Sequence, residues 1–331
     1  MRAAVVLGVN LVVAAATLGW LLHRYGEPAV ALLRESPSAP LLTAFALAVA
    51  AGLAAMALRW SILLGGLGCH LGAGRLAASR AAGHSVSSLI PSAKLGGEPL
   101  RAWLAVQHHV ATPQAIASVA ADRTLEMGAN LMFAAVFATV LAQQGVPALR
   151  GALVTLTAGG VGLVVGIVLT VRRLRRGEGL LTAVAQGTGL DRFTLVSNRM
   201  QTLSSAESAL GLLAGQPGRL AVCFAIGLVA NVVVLVEYWL LLRAFGLPAV
   251  PLTVVAAIFA TAAAHSMPVP GGVGVLEGGQ MWLFTVLGYP PDVGLAVGLA
   301  VRLRELLWTL PGLLYLVLYT VRRSAAARHA A

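Results

Sequence analysis

Four groups of charged side chains interrupt an otherwise apolar sequence. They are Lys94/Glu98/Arg101, Asp122/Arg123/Glu126, Glu277, and Arg302/Arg304/Glu305. Burying such a side chain in a membrane costs about 2.5–3.5 kcal/mol unless the charge is paired or meets water. Two interpretations follow, and the sequence leaves both open. The charges form internal salt bridges that hold helices in register, or they converge on a polar site.

The sequence around Glu277, H-S-M-P-V-P-G-G-V-G-V-L-E-G-G-Q, predicts a broken helix over residues 265–280. Pro268 and Pro270 lack backbone donors and disfavour helix before them, and the glycines that follow adopt backbone angles that other residues avoid; these are Gly271, Gly272 and Gly274. Irregular backbone at membrane depth survives only beside protein or a water-filled cavity. The stretch therefore predicts an interior site, with a helix kink and a merely paired glutamate as the alternative.

The chemistry that these groups favour is recognition of an anion. Arginine binds phosphate through two parallel hydrogen bonds, and backbone amides at helix starts also attract anions. We expect Lys94, Arg101, Arg123 and Arg302 to contact a headgroup. The acids would orient them or carry protons; these are Glu98, Asp122, Glu126, Glu277 and Glu305. The turn residues complete the predicted substrate site: Gly96, Gly97, Pro270, Gly271 and Gly272.

Catalytic and metal-binding patterns are not found in the sequence. It has no P-loop, no H-E-x-x-H and no G-x-S-x-G, so we predict no catalytic residue, metal or cofactor. His84 and His265 each precede a proline- and glycine-rich stretch. Either histidine is a proton carrier or a buried histidine with satisfied hydrogen bonds.

Composition places the chain among membrane proteins that cross the bilayer several times. Its 331 residues are 58% hydrophobic and 11% charged, and the mean hydropathy is +0.86. The net charge of +11 comes from arginines at the ends of apolar runs. This pattern indicates topology and argues against nucleic acid as a partner. We predict one all-α integral membrane domain over residues 1–331.

The distribution of arginine predicts the topology. The termini and the segments 59–80 and 172–219 should be cytoplasmic, with a first span at 3–22 and a polar connection at 27–37. About six helices then cross fully, while 81–106 and 252–288 enter and leave by the same face as two opposed re-entrant hairpins. The segment 172–219 contains an amphipathic helix, which lies on the inner leaflet or packs on the protein itself. It separates a first half, 1–171, from a second half, 220–331.

The two halves share an order of motifs. A proline, a glycine pair and a glutamate occur in both P-S-A-K-L-G-G-E and P-V-P-G-G-V-G-V-L-E, and each is followed by a helix with an arginine and acid cluster. Broken segments at corresponding positions of two inverted halves indicate a transporter binding site. The order therefore predicts an inverted repeat.

At these motifs the chain resembles the flippase-like (UPF0104-type) membrane proteins related to the transmembrane region of lysylphosphatidylglycerol synthase. The resemblance lies in P-S-A-K-L-G-G-E-P-L-R (91–101), D-R-T-L-E (122–126), P-V-P-G-G-V-G-V-L-E-G-G (268–279) and R-L-R-E-L-L-W-T-L-P-G-L-L (302–314). The D-x-T-L-E and R-E-L-L-x-x-x-P-G forms are most similar to the hopanoid-biosynthesis-associated branch, from which Lys94 and Arg101 depart.

The resemblance implies a non-enzymatic protein of the bacterial inner membrane that moves a polar-headed lipid between leaflets. The lipid would be a phospholipid, a glycolipid or a hopanoid, and lipid-biosynthesis enzymes would be partners. An integral-membrane lipid-modifying transferase is the alternative, with Glu98, Asp122 or Glu277 as general base. A non-catalytic scaffold of a lipid-synthesis complex is the third interpretation.

Overall fold

The computed structural model describes residues 2–35, 37–90, 96–143, 148–176, 200–267 and 269–330. Every regular element within these ranges is helical, which confirms the predicted all-α class. The helices are α1 (Arg2–Arg34), α2 (Ala39–Gly66), α3 (Ala73–Leu89), α4 (Glu98–Gln107), α5 (Thr112–Gln143), α6 (Ala148–Arg175), α7 (Met200–Ala214), α8 (Pro217–Ala244), α9 (Pro251–Ser266), α10 (Val275–Val286) and α11 (Pro291–Ala330), with a 3-10 turn at Pro270–Gly272.

Three helices in the described part of the chain are long and apolar enough to cross a membrane. They are α2, α5 and α8, with 28, 32 and 28 residues and mean hydropathies of 2.3, 1.7 and 2.5 over their most apolar windows. A helix of 20 residues already spans about 30 Å of hydrocarbon. These lengths and compositions are those of a membrane protein, while the predicted count of six full spans stays a prediction.

Two predicted loops are wrong. The polar connection at 27–37 is mostly helical, because α1 continues through Pro28 to Arg34. The segment 59–80 is not one loop either, since α2 extends to Gly66 and α3 begins at Ala73. Arg59 and Arg80, which we expected to mark a cytoplasmic loop, are buried within these helices. Both arginines pair with acids inside the bundle, so they do not mark a loop; the side of the membrane that this region faces stays a prediction.

Two central helices, α2 and α8, run antiparallel to each other. The Ser38 amide, just before α2, donates to the Ala244 carbonyl at the end of α8 (2.8 Å). At the opposite end of the pair, Gly66 faces the side chain of Arg219. The same two helices therefore meet along their full length, and each is followed by a shorter helix that leads to one of the proline- and glycine-rich segments.

Helices α3 and α4 form the first hairpin. The Gly97 amide at the start of α4 donates to Ser87 Oγ near the end of α3 (2.8 Å). Further along both helices, Leu76 and Ala105 belong to one buried apolar cluster. The two helices are therefore antiparallel. Residues 91–95, which connect them, lie outside the described residues.

Helices α9 and α10 form the second hairpin in the same way. Gln280 of α10 donates from Nε2 to the Ala257 carbonyl (2.8 Å) and to Thr261 Oγ1 (3.0 Å). Nearer the turn, Gly272 lies against Ala264. The pairing confirms a broken helix at this position, while re-entry of the two hairpins into the membrane stays a prediction.

The glycines of the second hairpin adopt the backbone angles predicted for them. Gly271 and Gly272 both have φ near 59°, and Gly274 has φ of 75°. Residues with a Cβ atom avoid this left-handed region, at a cost of about 1–2 kcal/mol. The turn therefore requires glycine for its conformation.

The two hairpins are brought together by α3 and α11. Ser85 Oγ of α3 donates to the Thr309 carbonyl of α11 (2.6 Å), and Gly312 allows the backbones to approach closely. Helix α3 also contacts the 3-10 turn of the second hairpin. The first hairpin thus lies beside both the tip of the second hairpin and the helix that follows it.

Helix α7 is the described part of the predicted amphipathic segment. It packs against α5, α6 and α8, and it buries Ala206, Ala209 and Leu213. For residues 200–214 this packing supports a helix that rests on the protein itself. The predicted apolar positions Phe193 and Val196 lie outside the described residues.

Candidate functional site

Three arginines surround Asp122 near the first hairpin. Arg59 Nε contacts Asp122 Oδ1 at 2.7 Å. Arg80 and Arg101 both donate to Oδ2, at 2.5 and 2.8 Å. The carboxylate is fully buried. A buried charge is tolerated only when it is paired and hydrogen-bonded, and Asp122 meets both conditions.

Glu126 extends this arrangement by one helical turn. It accepts hydrogen bonds from Arg59 (3.0 Å), from Arg80 and from Arg123 (3.1 Å). Arg123 also lies 3.5 Å from Glu98 at the start of α4. We call these seven residues the Asp122 network; they are Arg59, Arg80, Glu98, Arg101, Asp122, Arg123 and Glu126. Four cations and three anions leave it with one excess positive charge.

Four different helices supply the Asp122 network. Arg59 comes from α2, Arg80 from α3, Glu98 and Arg101 from α4, and the remaining members from α5. Asp122 and Glu126 are four residues apart and share one face of α5, as predicted from their spacing. The guanidinium of Arg101 stacks on the Trp60 ring at 4.5 Å. The network therefore fixes the first hairpin against α2 and α5.

One edge of the Asp122 network is accessible. The Asp122 side chain is 0% exposed, whereas Glu98 and Arg123 are 20% and 18% exposed. Glu98 Oε2, Arg101 Nε and Arg123 Nε have no hydrogen-bond partner. These atoms are themselves buried, those of Glu98 and Arg101 on α4 and that of Arg123 on α5. A polar ligand or water would have to enter beside the partly exposed Glu98 and Arg123 side chains to bond to them.

Arg302 is the centre of a second network, at the other hairpin. Its guanidinium donates to Glu277 through Nε (2.7 Å) and to Glu305 through Nη1 (2.7 Å). It also donates to the carbonyl oxygens of Gly271 (2.5 Å) and Gly272 (3.0 Å) in the turn. His265 Nε2 contacts the other oxygen of Glu305. We call His265, Glu277, Arg302 and Glu305 the Glu277 network.

Glu277 also begins its own helix. Its Oε2 accepts a hydrogen bond from the Gly274 amide (2.8 Å), which satisfies one of the free amides at the start of α10. The carboxylate is 1% exposed, whereas Arg302 and Glu305 are 23% and 19% exposed. The Glu277 network therefore also has a buried end and an accessible edge.

A third ion pair lies between α8 and α11. Arg304 Nη2 is 2.6 Å from Glu237 Oε2, and Trp308 Nε1 donates to the same oxygen (3.2 Å). The Arg304 guanidinium lies over the rings of Tyr238 and Trp308, at 4.9 and 5.4 Å from their centroids. Glu237 is fully buried. This pair connects the second central helix to the helix after the second hairpin, as Arg59 does in the first half.

We predict that Glu237 and Arg304 are strongly coupled in stability. Glu237→Gln and Arg304→Gln should each cost about 3–5 kcal/mol, because each leaves one charge unpaired in a buried place. The double variant should lose less than the sum of the two, and unfolding of the purified proteins in detergent measures this difference. Glu27→Gln, at an exposed position of α1, is the control with almost no expected effect. Additivity within about 0.5 kcal/mol would show that the pair contributes nothing.

The structure brings most of the predicted site residues into two clusters. Asp122, Arg123 and Glu126 join Glu98 and Arg101, while Glu277, Arg302 and Glu305 meet at the turn of Pro270, Gly271 and Gly272. Gly96 and Gly97 precede α4. Lys94 lies outside the described residues. Arg302 already donates to five acceptor atoms of four residues, so a headgroup would have to share or replace them.

Sequence reasoning did not assign five residues of these interactions. Arg59 and Arg80 were interpreted as topology markers, and Glu237, Arg304 and His265 were not assigned as site residues. One signal was available, since each lies inside an apolar run long enough to be a helix. Their partners are distant in sequence, however, with 63 residues between Arg59 and Asp122.

No group of three His, Cys, Asp or Glu residues in the described ranges could hold a metal ion. The acids proposed as a general base are occupied differently: Asp122 and Glu277 accept arginine donors, and Glu98 has one free oxygen. The networks offer guanidinium donors and carboxylate acceptors at an accessible edge, which suits an ionic or zwitterionic group.

Comparison with known proteins agrees with the membrane character of the chain. The family model of the lysylphosphatidylglycerol synthase TM region matches residues 5–312. A UPF0104 membrane protein of Methanothermobacter thermautotrophicus is 26% identical over 265 residues, which cover 76% of this chain and 77% of that protein. No solved structure matches. Because the family model covers nearly the whole chain, the protein belongs to the family of the lysylphosphatidylglycerol synthase TM region.

Proposed function

We propose that this protein moves a polar-headed lipid between the two leaflets of the inner membrane. A role connected with membrane lipids is plausible for the family that the chain belongs to, and the movement itself is our proposal. The assignment to the hopanoid-associated branch stays a prediction. The lipid classes are those expected from the sequence: phospholipid, glycolipid or hopanoid.

One observation carries this proposal. Each hairpin is fixed by an ionic network whose accessible edge contains both signs of charge: Glu98 and Arg123 at the first hairpin, Arg302 and Glu305 at the second. Charges placed between apolar helices are costly unless water or a polar group reaches them. A lipid headgroup that passes between leaflets needs such a polar path, with its acyl chains left in the apolar surroundings.

The proposal also uses the inverted repeat predicted from the sequence, which two features of the structure support. Helices α2 and α8 both have 28 residues, and Arg59 and Glu237 each lie seven residues before the helix end. Each side chain binds the long helix that follows the hairpin of its own half. The two helices are antiparallel, as the halves of an inverted repeat require. Inverted halves with broken helices at corresponding positions are typical of transporters that alternate between two faces.

The proposed topology follows from this repeat. About six helices cross the membrane fully, and the two hairpins enter from opposite faces as re-entrant segments. Both termini face the cytoplasm, and the arginines at the end of α6 lie on the same side. With this arrangement the contact of α3 with the turn of the second hairpin lies between the two faces.

The function is testable with purified protein in vesicles. The probes are acyl-labelled phosphatidylglycerol and phosphatidylethanolamine, and an impermeant quencher reports the outer leaflet. We expect the wild type to accelerate exchange of at least one probe. Arg302→Ala and Glu277→Gln should abolish it while the protein remains folded. The first variant removes the link between the turn and α11, and the second removes the buried charge that holds Arg302. Arg173→Ala, at an exposed position of α6, is the matched control and should behave as the wild type.

The outcomes separate the interpretations. Loss of folded protein in both variants would support salt bridges that serve structure alone. Lipidomics with and without the protein in cells distinguishes the transferase: a lipid that disappears altogether indicates synthesis. A lipid that is still made but confined to the inner leaflet indicates translocation. A wild type that moves neither probe and leaves the leaflet distribution in cells unchanged would contradict our proposal.

A further inference from the structure

His265 and Glu305 form a titratable pair between the second hairpin and α11. His265 lies in the last turn of α9, and its Nε2 contacts Glu305 Oε1. A hydrogen bond between an imidazole nitrogen and a carboxylate oxygen contains one proton, because neither atom can donate without it. Histidine is also the side chain that titrates close to neutral pH. The pair therefore has the components of a proton-binding site.

The charges of the Glu277 network favour a bound proton. Arg302 contributes one positive charge, whereas Glu277 and Glu305 contribute two negative charges. A protonated His265 would make the four side chains electrically neutral. An uncompensated charge in a partly buried place is unfavourable. The network thus gains a balanced set of charges when the histidine is protonated.

The helices packed around the Glu277 network add no further net charge through the groups named here. From α8, Tyr238 is close enough to Glu305 to interact with it, and its neighbour Glu237 is neutralised by Arg304 of α11. The 3-10 turn contributes backbone carbonyls, α10 contributes Glu277, and α5 contributes the apolar Leu141 to the shared core. Arg304 also acts electrostatically on Glu305, but it is paired with Glu237. Among these side chains, His265 is the type whose charge changes near neutral pH.

The pair is connected to the tip of the hairpin through Arg302. Glu305 uses one oxygen for His265 and the other for Arg302. Arg302 in turn holds the carbonyls of Gly271 and Gly272. When His265 is uncharged, Glu305 loses the positive charge of the imidazolium and is compensated more strongly by Arg302, so the guanidinium is drawn away from the turn. Proton binding thus changes how firmly α11 holds the hairpin.

Protons can reach this pair from outside the bundle. The His265 side chain is 9% exposed and that of Glu305 is 19% exposed, so the carboxylate belongs to the accessible edge. The buried Glu277 lies behind Arg302. A change of protonation at the edge is therefore transmitted inward through a single guanidinium to the turn and to the start of α10.

We propose that the His265–Glu305 pair binds the proton that is coupled to lipid movement, and that proton release loosens the second hairpin. This inference rests on the function proposed above and adds its coupling ion. The energy for net transport would come from a difference in proton concentration across the membrane.

Vesicles with an imposed pH difference test the inference. Movement of acyl-labelled phosphatidylglycerol and phosphatidylethanolamine is measured with equal pH and with about one unit of difference, in the range where histidine titrates. We expect the difference to change the wild-type rate and the final distribution between leaflets. His265→Gln, which keeps a polar side chain but does not titrate there, should give the same rate with and without the difference. His70→Gln, in the exposed loop between α2 and α3, should respond as the wild type.

If the His265→Gln protein does not fold, the response of the wild type to the pH difference alone tests the inference. Movement of lipid that ignores the pH difference would overturn the proton site and leave the proposed function standing. Absence of lipid movement under every condition would overturn the function itself. A second variant, Glu305→Gln, keeps an acceptor for Arg302 and should also lose the response. A Glu305→Gln protein that still responds would place the coupled proton elsewhere and overturn this site.

Discussion

Replacing Asp122 by asparagine is expected to destabilise the protein by about 3–5 kcal/mol, the usual cost of removing one partner from a buried ion pair. The carboxylate accepts from Arg59 on one oxygen and from Arg80 and Arg101 on the other. An asparagine places an NH2 group against one of these sets of donors, so hydrogen bonds are lost together with the charge. The measurement is unfolding of the purified protein in detergent, followed by tryptophan fluorescence.

Two further variants test the cause of this loss. Asp292→Asn lies in the first turn of α11, where only a helix-dipole contribution of about 0.3–1 kcal/mol is lost. Adding Arg101→Met to Asp122→Asn removes one unpaired guanidinium, so the double variant should be more stable than the single one. A loss below about 1 kcal/mol for Asp122→Asn alone would contradict the buried network as described.

The hairpins could be predicted from the sequence because their signals are local. Prolines and glycines change the backbone within a few residues of themselves, and the turn at Gly271, Gly272 and Gly274 has the angles predicted for it. The contact between Arg123 and Glu126 is equally local, since the two residues are one helical turn apart.

The partners of the charges could not be predicted in the same way. Arg59 and Arg80 reach Asp122 across 63 and 42 residues, and only the packing of α2, α3 and α5 brings them together. In sequence, an arginine at the end of an apolar run looks the same whether it faces the cytoplasm or a buried acid. The rule that assigns topology counts charges without their partners, so it misplaced both residues in a loop.

The two interpretations that the sequence left open apply to different parts of the same networks. Asp122 and Glu277 are buried and fully engaged with arginines, which is the behaviour of structural salt bridges. Glu98 and Glu305 lie at the accessible edges. A network with a fixed inner part can hold its outer charges in position before a ligand arrives, and such preorganisation reduces the cost of binding.

The glycine pairs of the two hairpins are required for different physical reasons. In the second hairpin, Gly271 and Gly272 have positive φ angles, so their constraint is conformational. In the first hairpin, Gly97 has φ of −93°, which any residue adopts. Its constraint is space, because a Cβ atom there would overlap the Gly83 carbonyl and approach Ser87 Oγ. A shared sequence pattern therefore does not imply a shared cause.

Gly97→Ala is consequently expected to open the first hairpin. Overpacking in a well-packed interior costs about 1–3 kcal/mol, and this case should be at the upper limit because the obstacle is backbone. The shift would also separate Arg101 from Asp122, so transport should be lost with stability. Gly74→Ala, in α3 with open space around it, is the control and should be neutral or slightly stabilising.

A double variant tests the cause of the loss. Adding Ser87→Ala to Gly97→Ala should restore little of the lost stability, since the Gly83 carbonyl remains. Full recovery in that double variant would show that the hydroxyl alone limits the approach of α3 and α4.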